Sequence, residues 1–328
     1  MKKYLPTVIS VIVILTLSIL SLVFSDLHLS QNQSETMIIL LIICGASMLY
    51  CFVVGELTHN YSQMDKLWSL LPIAYSWVIC AKGGFDLRLI VYAVIATIWG
   101  IRLTINFGRK GAYTWKFWQG EEDYRWKIVH GSKFFKKNIA WSMFNLFFIS
   151  IYQNAIVLAI TFPALAVMDS PVAFGVWDFV AAGLALCFVL IETIADEEQW
   201  KFHETKKSLL KEGRTLEELE DPYNLGFNTV GLWGRMRHPN YLGEQGIWIS
   251  LYIMTIGAGV AVNGIFHWSI IGPLFLILLF SGSSTLAESI SSSKYPLYQD
   301  YIGQVYKYIP LRRYKVERVK NNCNSPII

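Results

Sequence analysis

The sequence predicts an all-α fold: a polytopic integral membrane helical bundle of about eight transmembrane helices, with both termini in the cytoplasm. Two observations of composition support it. Apolar and aromatic residues make up 54% of the 328 residues and charged residues only 16%, against about 25% charged residues in an average soluble domain. Several runs also reach the length of a membrane-spanning helix with almost no charge. These features exclude a soluble enzyme, a disordered chain and a secreted disulfide scaffold.

Eight segments are long and apolar enough to be predicted as membrane spans. They are residues 6–24, 37–54, 67–81, 87–107, 138–163, 174–195, 244–262 and 265–281. The segment 67–81 is the shortest and contains Pro72. The first segment is predicted to be a retained anchor rather than a signal peptide, because it is long and has no Ala-x-Ala cleavage site.

The distribution of basic residues predicts the orientation, which is the third observation. With the N-terminus in the cytoplasm, 25 of the 28 Lys and Arg residues fall on the cytoplasmic side, and the outer loops 25–36, 164–173 and 263–264 contain none. Loops rich in Lys and Arg stay in the cytoplasm. The net charge of +4 is modest, so nucleic acid is not an expected partner, and membrane lipids are.

Polar side chains interrupt the predicted spans near the cytoplasmic surface. An ionisable residue inside a span costs about 2.5–3.5 kcal/mol on insertion scales, so each one requires a reason. Two alternatives are open: interfacial residues paired between helices, or a shared polar cavity. Their common depth favours the cavity. The residues are Arg102, Asn106, Glu192, Asp196, Glu244 and Glu288.

The sharpest local motif is Arg-His-Pro-Asn-Tyr-Leu-Gly-Glu at residues 237–244. Pro239 suits the first turn of a helix, so the seventh span is predicted to begin here. The N-terminal amides of that helix, with Arg235 and Arg237 before them, predict a site for an anion such as a phosphate or carboxylate. The alternative is a basic turn that anchors lipid headgroups. No Rossmann fingerprint is present, and no His or Cys spacing predicts a metal site.

The motif at 237–244, preceded by Gly-Leu-Trp at 231–233, resembles the C-terminal domain of the steroid 5-alpha-reductase superfamily. The pattern Lys-Tyr-Pro-x-Tyr-x-x-Tyr at 294–301 is similar too. Two further signatures resemble one bacterial branch known only as a domain of unknown function: Asp-x-x-Trp-Ser-x-x-Pro at 65–72 and Glu-Thr-Ile-Ala-Asp-Glu at 192–197. With Trp-Gly-x-Arg-Leu-Thr at 99–104 and Glu-Asp-Tyr-Arg-Trp at 122–126, the resemblance covers about residues 55–310.

The resemblance implies a membrane reductase that uses NADPH to reduce a carbon–carbon double bond in a steroid-like or other lipid substrate. The substrate would enter from the bilayer, and the cofactor from the cytoplasmic side of a bacterial inner membrane. The chain would divide into an extra transmembrane anchor and outer loop at 1–36, a steroid-5-alpha-reductase-like membrane domain at 37–316 and a cytoplasmic tail at 317–328.

The resemblance also implies roles for individual residues. Asn240 and Glu244 match residues that hold the nicotinamide and ribose region, Asp196 matches a cofactor-contacting aspartate, and Arg102 matches an arginine of the phosphate clamp. The full set of expected cofactor contacts is Arg102, Asn106, Glu192, Asp196, Arg235, Arg237, His238, Asn240, Glu244, Glu288 and Tyr295.

The sequence departs from the family at the proton donor. Three residues before Arg102 the steroid enzymes have a tyrosine, and here the residue is Trp99, whose indole is not an acid. The expected replacement donors are Asp65, Tyr61 and Tyr241. Asp65 is favoured, because it is acidic and precedes an apolar span where loss of solvent would raise its pKa.

Two other classes of function remain open. The Arg-His-Pro-x-Tyr-x-Gly core also resembles the isoprenylcysteine and phospholipid methyltransferases, which use S-adenosylmethionine. A non-enzymatic lipid-binding membrane protein is the third class, and Trp99 is its main support. Asn240 together with Glu244, and the signature at 65–72, favour the reductase.

Overall fold

The computed structural model describes residues 5–135 and 137–315. Within these ranges the chain is built from helices joined by turns and short loops, and no β-strand is present. The predicted all-α fold class is therefore confirmed. The predicted tail at 317–328 lies outside the described residues.

Thirteen α-helices follow one another along the described chain, and 3₁₀ turns lie in several of the connections. In order, they are α1 Leu5–Phe24, α2 Gln31–Thr58, α3 Gln63–Leu67, α4 Leu71–Lys82, α5 Leu87–Gly108, α6 Tyr124–His130, α7 Asn138–Phe144, α8 Gln153–Ala159, α9 Phe162–Val167, α10 Val176–Lys211, α11 Pro239–Gly257, α12 Ile271–Lys294 and α13 Tyr298–Gln304.

Every predicted span overlaps one helix or a run of consecutive helices, and five helical segments of the described chain are long and apolar enough to cross a membrane. Those five are Gln31–Thr58, Leu87–Gly108, Asn138–Val167, Val176–Lys211 and Trp268–Lys294. Large apolar side chains on these helices face outwards; Ile42 and Leu49 of α2, for example, are 67% and 65% exposed. An apolar surface of this extent is stable in contact with lipid rather than with water. The chain is therefore a polytopic membrane helical bundle.

The predicted span 138–163 is not one regular helix. A π-helical segment, Asn145–Tyr152, separates α7 from α8. Asn145 is fully buried, and its side-chain amide donates a 2.8 Å hydrogen bond to Glu56 of α2, which holds the π-helical segment against α2. Pro163 lies in the first turn of α9, where its missing N–H favours the start of a new helix.

The chain forms two compact units, described separately below. The first comprises Met1–Thr193 and Leu242–Ala287, and the second comprises Ile194–Tyr241 and Glu288–Ile328. Large aromatic side chains fill the first unit, where Trp99 of α5 meets Trp248 of α11 edge to face, with ring centroids 5.0 Å apart. The second has its own aromatic core, which includes Phe227, Tyr298 and Tyr301. The predicted division at residues 36 and 316 stays a prediction.

The orientation of the bundle in the membrane can be tested directly. We expect both termini to be cytoplasmic, because 25 of the 28 basic residues then lie on that side. A phosphatase that is active only outside the cytoplasm, fused after Ile328, should be silent, whereas the same reporter inserted in the outer loop 25–36 should be active. Phosphatase activity from the C-terminal fusion would reverse the assignment.

Candidate functional site

Two hydrogen-bonded pairs lie on closely packed segments of the first unit, Arg102 with Glu192 and Trp68 with Glu244. We call these four residues the membrane cluster. Arg102 of α5 forms a salt bridge with Glu192 of α10, and the two side chains are only 12% and 3% exposed. Trp68, between α3 and α4, donates a 2.8 Å hydrogen bond from its indole nitrogen to Glu244 of α11. Both buried carboxylates therefore have a donor, as their burial requires.

Two glycines allow the helices that carry this cluster to approach closely. A Cβ atom at Gly243 of α11 would lie 2.5 Å from the Cβ of Glu192, and one at Gly100 of α5 would lie 2.5 Å from the backbone oxygen of Ser69. The hydroxyls of Ser69 and Thr104 lie 2.7 Å apart across the same contact. Small residues at such contacts are the usual means of close helix packing in membranes.

Asn106, one turn after Arg102, is buried at the end of α5. Its side-chain oxygen accepts hydrogen bonds from Nε and Nη2 of Arg109, at 3.1 and 2.8 Å. Asn106 thus helps to fix the end of the helix that carries Arg102.

Asp65, the expected proton donor, lies on the short helix α3 and is partly buried. Its carboxylate accepts a 2.8 Å hydrogen bond from the indole nitrogen of Trp126. Burial raises the pKa of Asp65, and the negative charge of Asp123 raises it further. The pKa of Asp123 is lowered: burial alone would raise it, but its contacts with Arg125 outweigh that effect. Asp65 therefore holds its proton more tightly than an ordinary carboxyl.

Tyr61, the second candidate donor, is a buried residue of the first unit. Its ring packs edge to face on Trp141, with centroids 5.0 Å apart, and its backbone N–H donates to Glu122 at 2.7 Å. The ring of Tyr61 is therefore held mainly by packing.

The motif at 237–244 begins in the second unit, where Glu288 is its central contact. Arg237 donates from Nε to Glu288 at 2.8 Å and from Nη1 to the backbone oxygen of Ile302 at 3.0 Å. Nε2 of His238 lies 3.0 Å from the same carboxylate oxygen of Glu288. Burial lowers the pKa of His238 despite Glu288, so the imidazole is neutral at pH 7 and donates the hydrogen bond. Arg237 and His238 thus fix the loop that precedes α11.

Asn240 and Asp196 lie in contact in the second unit. The side-chain nitrogen of Asn240 is 3.4 Å from a carboxylate oxygen of Asp196. The side-chain oxygen of Asn240 is buried and has no hydrogen-bond partner among the described residues. A buried amide oxygen without a donor costs about 1–3 kcal/mol, so a water molecule or a ligand that donates a hydrogen bond would be stabilising at this position.

The remaining predicted residues of the second unit have distinct surroundings. Tyr241 stacks on His238, with ring centroids 5.2 Å apart. Arg235 is exposed. Tyr295 packs against Phe227, with centroids 5.9 Å apart, and therefore borders the aromatic core of this unit.

The contacts of Trp68 and Trp126 were not predicted from the sequence. Both residues belong to the signatures quoted above, yet no role was assigned to them. Each indole N–H donates to a carboxylate that the sequence analysis had singled out, Glu244 or Asp65. The chemistry of the indole could have indicated these contacts, because a buried indole N–H usually has an acceptor.

Comparison with known proteins places the chain in a family. Residues 51–305 match the family described as protein of unknown function DUF1295, and the chain belongs to this family. A relative from Schizosaccharomyces pombe, described as an uncharacterized protein, is 33% identical over 298 residues, which cover 88% of this chain and 82% of the relative. No solved structure matches. The family has a eukaryotic member, and location in a bacterial inner membrane stays a prediction.

Proposed function

We propose that this protein is an integral membrane reductase that uses NADPH to reduce a carbon–carbon double bond in a steroid-like or other lipid substrate. The observation that carries the proposal is the buried side-chain oxygen of Asn240, which has no hydrogen-bond partner among the described residues. The carboxamide of nicotinamide is a donor that would satisfy it. The resemblance of the motif at 237–244 to the steroid 5-alpha-reductase superfamily supports the same assignment.

Asn240 and Asp196 are the residues that we propose hold the nicotinamide end of the cofactor. When bound, NADPH supplies a hydride. Reduction of a double bond also needs a proton, and Asp65 is the proposed acid because burial and Asp123 keep its carboxyl protonated to higher pH. Trp126 would orient that carboxyl through its 2.8 Å hydrogen bond.

The membrane cluster fits an apolar substrate that carries few polar groups. Its carboxylates are already partnered: Arg102 balances the charge of Glu192, and the indole of Trp68 donates a hydrogen bond to Glu244. Trp99 and Trp248 of the same unit are fully buried. A lipid entering from the bilayer would first meet the exposed apolar side chains of the spanning helices rather than charged groups.

Replacing Asn240 with Ala tests the assignment. We expect the Kd for NADPH to rise roughly 5- to 30-fold, which corresponds to the loss of about 1–2 kcal/mol of hydrogen bonding. Thermal stability without ligand should change little, because the amide oxygen has no partner among the described residues and the contact of the amide nitrogen with Asp196 is long, at 3.4 Å. Kd values come from titration of purified protein in detergent, followed by intrinsic tryptophan fluorescence.

Gln299→Ala is the control, since it removes an exposed side-chain amide from α13 of the same unit and should leave the affinity for NADPH unchanged. A wild-type Kd in the Asn240→Ala variant would remove the proposed role of this residue. A fluorescence response to S-adenosylmethionine, without one to NADPH, would replace the reductase by the methyltransferase, and no response to either would favour a lipid-binding protein.

A further inference from the structure

A basic cavity of about 460 Å³ opens in the second unit beside the C-terminal parts of α10 and α12. No step of the proposed reduction uses the charged groups that line it. Four lysines and a histidine line the cavity together with a single carboxylate: Lys206, Lys207, Lys211, Lys294, His203 and Glu204. The cavity therefore carries a strong excess of positive charge.

Two of these ammonium groups are held in place around one aromatic ring. Lys206 Nζ lies 5.5 Å and Lys294 Nζ 5.2 Å from the centre of the Tyr295 ring. Lys206 also donates a 2.6 Å hydrogen bond to the backbone oxygen of Gly226. Gly226 has φ of 81°, and a Cβ atom there would lie 2.2 Å from the Tyr295 ring, so glycine is required for the ring to lie this close. Lys206 is therefore held in place by its hydrogen bond to Gly226 and by the packing of Tyr295 against that glycine.

The dipoles of α10 and α12 account for only two of the four lysines. A lysine in the last turn is favourable because it opposes the helix dipole, and this accounts for Lys211 and Lys294. It does not account for Lys206 and Lys207, which lie before the last turn of α10. Lys207 is 3.9 Å from Glu204, so the one carboxylate of the cavity is already engaged. Like charges held together in this way repel unless an anion lies between them.

We propose that this cavity binds a phosphate monoester. At neutral pH such a group carries a charge of about −1.5 to −2 and three strong acceptor oxygens, which several ammonium groups can share, and lysine is a common phosphate ligand. Two sources present this chemistry: the 2′-phosphate of NADPH, which rests on the proposed function, and the headgroup of a phosphomonoester lipid such as phosphatidic acid.

The test uses the full chain and five probes: inorganic phosphate, NADP⁺, NAD⁺, nanodiscs that contain phosphatidic acid, and nanodiscs that contain only phosphatidylcholine. Lys294→Gln removes one ammonium group whose contact with Tyr295 is exposed to solvent. We expect it to weaken phosphate binding roughly fivefold or more. Lys201→Gln is the matched control, because Lys201 is an exposed lysine of the same unit that does not line the cavity; it should leave the affinity unchanged.

The probes separate the two sources. If the wild type binds NADP⁺ more tightly than NAD⁺ and the Lys294→Gln variant does not, the cavity binds the 2′-phosphate. If the wild type retains phosphatidic acid, the variant does not, and the wild type binds NADP⁺ and NAD⁺ equally, the cavity binds a lipid headgroup. If neither dinucleotide binds, the proposed reductase function fails, while phosphate and phosphatidic acid still test the cavity. An equal effect of Lys201→Gln and Lys294→Gln, or no binding of any phosphate probe, would overturn the site.

Discussion

Replacing Asp178 with Asn is expected to lower the free energy of unfolding by about 3–5 kcal/mol, since it leaves the charge of Arg88 buried without its partner. In the first unit, Arg88 donates from Nε and Nη2 to the two carboxylate oxygens of Asp178, at 2.7 and 2.9 Å. The side chains are 2% and 0% exposed. Asn offers one oxygen and no charge. Chemical denaturation of both proteins in the same detergent measures the loss.

A surface ion pair provides the control for this prediction. Arg214 and Glu212 lie 3.3 Å apart with both side chains about half exposed, so Glu212→Gln should change stability by no more than about 0.5 kcal/mol. The double replacement Arg88→Met with Asp178→Leu should recover much of the loss, because two apolar side chains leave no buried charge. Equal stability of Asp178→Asn and Glu212→Gln would show that the buried pair contributes little.

Hydrophobic patterning was sufficient to locate the helices. Each predicted span overlaps at least one helix, because an uncharged run of this length has few alternatives in lipid. The π-helical segment Asn145–Tyr152 was not predicted, since it accompanies a contact between Asn145 and Glu56, which are far apart in the chain. A hydropathy pattern is an average over many residues and does not detect a local change from α-helix to π-helix.

The partners of the polar residues were harder to predict than their positions. Arg102 and Glu192 were both singled out at one predicted depth, yet their salt bridge joins residues 90 positions apart. The contact of Arg237 with Glu288 spans 51 positions. It shows that an arginine expected to face a ligand is also used inside the protein. Spacing along one helix predicts which residues share a face, but not which other helix that face meets.

Replacing Asp65 with Asn should reduce the rate of NADPH-dependent reduction roughly 10²- to 10⁴-fold, the usual contribution of a general acid. Asn retains an oxygen for the hydrogen bond from Trp126 but has no proton to give. In the wild-type protein the rate should fall as the pH rises through the raised pKa of Asp65, whereas the variant should lack this dependence. NADPH oxidation by the purified protein with a membrane lipid extract, measured across a range of pH, provides both results.

The Asp65→Asn replacement should affect stability at high pH in the opposite direction to activity. Because the folded-state pKa of Asp65 is raised, the protein loses stability as the pH rises through that pKa and a partly buried carboxyl must ionise. Asp65→Asn avoids this loss and should be at least as stable as the wild type at high pH. Asp123→Asn is the control. Asp123 caps α6 by accepting a hydrogen bond from the backbone N–H of Arg125, and Asn can cap in the same way. Removal of the Asp123 charge should move the fall of the rate to lower pH while activity remains. An Asp65→Asn variant that retains activity within tenfold of wild type would transfer the proton-donor role to Tyr61 or Tyr241.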